Sequence, residues 1–111
     1  MSRNSNKSDA PPPPNGLQRL DALLQHRSRL GAMVLLSGAD LSFTRLRELL
    51  EETDGNLGAQ LRKLEDAGYV SVKKEFVERK PVSWYSLTKT GATALKRHLA
   101  AMENLIRSAS V

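Results

Sequence analysis

The sequence predicts a mainly α domain that carries one small β-hairpin, on three observations. Apolar residues recur at helical spacing along most of the chain, as with Leu57, Leu61 and Leu64. One stretch, from Tyr69 to Leu87, changes to alternation and strand-forming residues. Polar and glycine-containing turns separate the segments. A chain of 111 residues has room for a single core, so these pieces must pack as one unit.

Met1 to Gly16 reads as a disordered leader, polar and holding the run Pro11 to Pro14, ahead of a folded domain over residues 17–111. Helical spacing begins with Leu17, Leu20, Leu23 and Leu24 and resumes with Leu30, Met33 and Val34. The polar run His26-Arg27-Ser28-Arg29 marks either a short break or a bend in one helix, and Ser37-Gly38-Ala39-Asp40 ends the segment. Ser42 is placed to cap a second helix whose apolar face is Phe43, Leu46, Leu49 and Leu50. Thr53 or Asp54 can cap a third, which buries Leu57, Leu61 and Leu64 and stops at Gly68. Tyr69 to Lys73 and Val82 to Leu87 then form the hairpin strands, with Glu78-Arg79-Lys80-Pro81 as the turn. Four of the five aromatic residues lie in this hairpin, as a small sheet short of core requires. Thr88 caps a last helix striped by Leu95, Leu99, Met102 and Ile106.

Composition narrows the function. The formal net charge is +5, which favours an acidic partner. There is no cysteine, so disulfides, thiolate metal sites and cysteine nucleophiles are excluded. No run approaches the length of a membrane span and no secretory segment is recognisable, so a cytoplasmic, nucleoid-associated protein is expected. No phosphate-cradling loop is present and no nucleophile has a neighbouring histidine, so no enzymatic activity is expected.

Two short helices joined by a tight turn and followed by a hairpin describe a helix-turn-helix with a wing, in which the third helix enters the DNA major groove. Taking Leu57 as zero at about 100° per residue, Leu61 and Leu64 lie within roughly 40° of it. Gly55, Asn56, Ala59, Arg62, Lys63 and Asp66 gather between roughly 140° and 260°, on the opposite side. Asn56 and Gln60 carry the amides that pair with adenine, and Lys63 can reach guanine or phosphate. Gly55 and Gly58 either let the start of the helix sit deep in a groove, or belong to the turn and to helix packing.

Residues 53–68 carry a net charge of −1, residues 69–87 a net +2 and residues 88–111 a net +3. Phosphate contacts from the flanks, including Lys73, Lys74, Arg79 and Lys80, with base contacts at the centre, fit that layout. Ser42, Thr44 and Arg45 open the second helix and offer a further phosphate-docking point, although capping accounts for Ser42 equally well.

Leu41 to Leu46, Thr53 to Leu57, Leu61 to Val70 and the ending Tyr85-Ser86-Leu87-Thr88-Lys89-Thr90-Gly91 resemble the small winged-helix regulators related to the MarR and ArsR repressors. The resemblance covers about residues 17–107 and implies a dimeric transcription factor on a pseudo-palindromic operator. It places Thr53, Asn56, Gln60 and Lys63 in the recognition helix and Arg79 and Lys80 at the wing tip. ArsR metal sensors use cysteine and histidine clusters, whereas this sequence offers only His26 and His98, so no metal or other cofactor is expected.

Independently, the stripe Leu17, Leu20, Leu24 and the stripe Leu95, Leu99, Met102, Ile106 sit at opposite chain ends, more apolar surface than one small core can bury. A homodimer through these terminal segments is expected, with its two reading helices about 34 Å apart. Packing of the two stripes within one subunit is the alternative. The partners expected are double-stranded DNA and a second copy, with any small-molecule effector undetermined. A winged-helix module that binds another protein is the competing reading, favoured by the negative charge of the third helix and the proline leader.

Overall fold

The computed structural model describes residues 13–110, so the disordered leader expected over Met1 to Gly16 lies outside them up to Pro12. Four α-helices and a three-stranded antiparallel sheet follow in the order α1 (Arg27–Leu36), β1 (Leu41–Ser42), α2 (Phe43–Leu50), α3 (Asp54–Asp66), β2 (Val70–Val77), β3 (Lys80–Leu87) and α4 (Lys89–Ser108). The strands lie in the order β1-β3-β2.

Side-chain caps decide where the helices begin. Ser42 Oγ accepts from the Arg45 N–H at 3.1 Å, Thr53 Oγ1 from Asn56 N–H at 3.2 Å and Thr88 Oγ1 from Gly91 N–H at 2.9 Å. Each satisfies an amide that the helix itself leaves unpaired. His26 does the same for α1, its Nδ1 accepting from Ser28 N–H at 3.1 Å, so the polar run at His26 is a true start and not a bend.

The segment before it departs from the expected helix. Leu17–Arg19 and Ala22–Leu24 are separate 3-10 turns, interrupted by Leu20 in extended conformation. Asp21 explains the interruption. Its N–H donates to His98 Nδ1 at 2.9 Å and its Oδ1 caps the second turn by accepting from Leu23 N–H at 2.9 Å. Its Oδ2 accepts from the Tyr69 hydroxyl at 2.5 Å. A residue bonded to three elements cannot also continue a helix. The segment is a strap across α4, and it begins earlier than expected: Asn15 N–H donates to Ser108 Oγ at 3.2 Å and Gly16 is buried.

The sheet has one strand more than the sequence suggests. Leu41 and Ser42 pair with Tyr85 and Trp84, joining the turn before α2 to the hairpin. The hairpin ladder runs unbroken from Val70↔Leu87 to Val77↔Lys80, so Lys80 and Pro81 belong to β3 and the turn shrinks to Glu78 and Arg79. Both turn residues have positive φ, 51° and 68°, the geometry of a two-residue type I′ turn.

Leu24, Met33, Leu46, Leu57, Leu61 and Leu64 are fully buried and form the centre of the core with Leu36, Val70 and Leu95. Each such side chain contributes about 1.5–3 kcal/mol by leaving water. At the root of the hairpin, Gly91 lies so close to the Tyr69 carbonyl that a Cβ there would overlap it and sit 2.9 Å from Leu87 Cδ1. Thr88 Oγ1 also donates to the Gly68 carbonyl at 2.6 Å, tying the end of α3 to the start of α4.

Candidate nucleic-acid interface

Helix α3 turns its leucines inward, and the opposite side is open. Asn56, Ala59, Arg62 and Lys63 are all exposed, as is the cap Thr53. Gly55 lies inside the helix and not in the turn, and a Cβ at Gly55 or Gly58 would meet nothing within 4 Å. Internal packing therefore does not call for either glycine. What they leave is a shallow, unobstructed start to the helix.

Gln60 does not join this strip. It is buried, and its amide oxygen accepts from the Arg29 guanidinium, which also donates to the Leu23 carbonyl at 2.6 Å. The pair binds α3 to α1 and the strap, so Gln60 has a structural task inside the protein. Its helical angle, about 60° from Leu57, places it on the core side.

Asn56 is exposed but not free-swinging. Its Nδ2 donates to Glu52 Oε1 at 3.0 Å, and Glu52 in turn accepts from the buried Ser28 hydroxyl, with Arg27 at 3.6 Å. The Ser28 and Asn56 hydrogen bonds hold the Glu52 carboxyl below the usual carboxylate range. This chain fixes the amide and leaves Asn56 Oδ1 as an outward acceptor.

Arg47 is a functional candidate that the sequence reading missed. Its guanidinium bonds Asp54 Oδ1 at 2.7 Å across the turn between α2 and α3, which raises its pKa further. Asp54 is one of the charges that make residues 53–68 net negative, so the reading helix is closer to neutral than that count implies. The signal was available only as an acid seven residues after a base.

At the start of α2, Thr44 and Arg45 are exposed, but Ser42 is partly buried with its hydroxyl spent on the cap, and Arg45 pairs with Glu48 at 3.3 Å. On the hairpin, Lys73, Lys74, Arg79 and Lys80 are exposed. Among the described residues neither these four nor Arg62 and Lys63 enter an ion pair. Trp84 lies on the sheet face away from the core, its Nε1 donating to Glu75 Oε1 at 3.0 Å and its backbone opposite Lys73. Tyr85 lies on the other face, where burial, with Glu65 of α3 nearby, pushes its phenol above the usual range.

The terminal stripes divide. Leu24 and Leu95 are buried within the subunit and are not available to a partner, because the strap folds back on α4. Leu17, Leu99 and Ile106 stay exposed, Ile106 at 72%, while Leu20 and Met102 are partly buried beside them. His26 and His98 each use Nδ1 within the fold, and among the described residues no three potential metal ligands of the His, Cys, Asp and Glu types converge. Nor is any described helix long and apolar enough to cross a membrane.

A helix-turn-helix whose second helix is backed by leucines and open outward, beside a basic hairpin, defines a winged-helix domain. Residues 28–106 match the family model described as winged helix DNA-binding domain, and the chain belongs to that family. An uncharacterized protein of Methanocaldococcus jannaschii is 35% identical over 72 residues, spanning 64% of this chain and 78% of its own. The structure of a transcriptional regulator homologue from Pyrococcus horikoshii OT3 superposes with a TM-score of 0.74 at 25% identity, covering 100% of both chains. The zinc-responsive MarR family member ZitR of Lactococcus lactis shares the fold with a TM-score of 0.58 at 21% identity, over 72% of this chain and 55% of that one. The chain is a member of the winged helix DNA-binding family whose fold is shared by a transcriptional regulator homologue and by a MarR family member.

Proposed function

We propose that the protein is a homodimeric repressor that reads a pseudo-palindromic operator, with α3 in the major groove and the hairpin on the flanking backbone. The open side of α3 carries this reading: Asn56, Ala59, Arg62 and Lys63 form one exposed strip, accompanied by hairpin cations that enter no ion pair among the described residues. Asn56, held by Glu52, reads a base edge, while Lys63 and Arg62 reach guanine or phosphate. Thr53, Thr44 and Arg45 lie where the backbone passes the helix starts.

Leu17, Leu99 and Ile106, with Leu20 and Met102, supply the two-fold contact that sets two reading helices about 34 Å apart. The role is binding and not catalysis, and its partner places the protein in the cytoplasm with the chromosome. Selecting bound duplexes from a random pool tests the whole reading. An inverted repeat with half-sites one helical turn apart is expected; a pool that enriches no sequence defeats it and favours a protein-binding module.

A further inference from the structure

One aromatic side chain on the hairpin is left over by the core. Phe76 is 77% exposed, more than any other large apolar residue described. Single exposed apolar residues are ordinary, so exposure alone says little. Its surroundings say more. Alternation along β2 puts Val70, Val72, Lys74 and Phe76 on one face, and Val70, at 2% exposure, fixes that face as the one turned to the core. Tyr85, opposite Val72, senses Glu65 and Arg62 of α3, so this is the face that meets the reading helix. Phe76 continues it beyond the edge of the core.

The backbone that carries the ring is fixed by strand pairing. Pro81 is its cross-strand partner, and the ladder stays intact one pair further, to Val77↔Lys80, before the two-residue turn. Lys74 shares the face of Phe76 two residues back, and Arg79 and Lys80 lie at the same end of the hairpin, all three exposed and without ion pairs among the described residues. An apolar ring on a hairpin of net charge +2 is poorly suited to an apolar protein surface, which would have to strip water from the neighbouring charges. It suits a polyanion whose interior is stacked and apolar.

We propose that Phe76, opposite Pro81 in the ladder, is a wedge that enters the minor groove beside the reading helix and partly unstacks one base step, so that the protein bends its DNA. The cations hold the phosphates on either side while the ring opens the step. Sequence selectivity then extends to a position that no polar group contacts, with flexible pyrimidine–purine steps preferred there. The inference rests on the DNA-binding reading above and adds the distortion.

The test uses the full chain and donor–acceptor end-labelled duplexes carrying the sequence recovered by selection, with energy transfer reporting the bend. Wild-type protein shortens the end-to-end distance. Phe76→Ala binds about tenfold more weakly and leaves the duplex straight, with its salt dependence unchanged, while Phe76→Leu keeps most of the bend. Lys80→Ala shows the reverse pattern: the bend persists and the salt slope falls by about one. Phe76→Ala binding with wild-type affinity and bend overturns the wedge alone and leaves the ring for a protein contact. A wild-type protein that binds without bending also overturns it, whereas failure to bind any duplex overturns the DNA reading as well.

Discussion

The hydroxyl of Tyr69 donates to Asp21 Oδ2 at 2.5 Å, joining the root of the hairpin to a strap 48 residues earlier in the chain. This bond to a carboxylate, with partial burial, pushes the phenol pKa up to about 12. A group held protonated more tightly in the folded state stabilises it below its unfolded pKa. The contribution is therefore complete below pH 10 and disappears as the pH rises through about 12. Tyr69→Phe should cost about 1 kcal/mol at neutral pH, at the low end for a charged hydrogen bond because the site is partly solvated. Ultraviolet titration of the two tyrosines, with denaturant curves for the variant, checks both statements.

Gly91→Ala should destabilise the fold by about 1–3 kcal/mol, because the added methyl must displace the Tyr69 carbonyl or the Leu87 side chain. A fall in Tm of more than about 4 °C is the expected reading for a domain of this size. An unchanged Tm contradicts the close approach.

Glu52 makes stability sensitive to acid. Its pKa is lowered in the folded state by Ser28 and Asn56, so its contribution is present above the ordinary carboxylate range and is lost as the pH falls through the depressed value. Glu52→Gln should flatten the acid limb of the stability profile measured by thermal denaturation between pH about 3 and 6. It should also loosen Asn56, since only a carboxylate accepts from both neighbours at full strength.

Helix α3 offers two substitutions with different signatures. Asn56→Ala should relax selectivity at one operator position by about 1–3 kcal/mol and leave other positions unchanged. Lys63→Ala, if the amine meets phosphate, should weaken all sequences alike and reduce the salt slope by about one. Gel-shift titrations across single-base variants and several salt concentrations separate the two.

The proposed dimer has its own test. Leu99→Asp combined with Ile106→Asp places charge on residues that are already exposed, so the subunit should fold normally. Sedimentation should then report a monomer, with operator affinity reduced at least a hundredfold by loss of the paired half-site.

Much of this architecture was legible in the sequence, and the parts that were share a cause. Ser42, Thr53 and Thr88 cap helices through bonds only three residues long, so local chemistry announces them. The leucine stripe of α3 likewise depends only on spacing. What was hidden depends on distant partners. Two-residue β1 exists because Tyr85 and Trp84 lie beside it, and no period can be read from two residues. Leu17, Leu20 and Leu24 satisfy helical spacing, but Asp21 is claimed by His98 and Tyr69 and the helix never forms. For Gln60, residue type suggested adenine while its position on the helix faced the core, and Arg29 settles the conflict. The open strip of α3 was visible in advance; the Glu52 and Arg47 contacts that steady it were not.

The placement of positive charge has one more consequence. On the proposed reading, grip lies mainly with lysines and arginines on the hairpin and discrimination with a few side chains on a rod whose opposite charges nearly cancel. On that division, substitutions at Asn56 and its neutral neighbours on the rod would rewrite which operator is chosen while the hairpin's share of the attachment is inherited intact. Duplicated copies of such a gene could thus diverge in their targets without first passing through a form that has lost its hold on the chromosome.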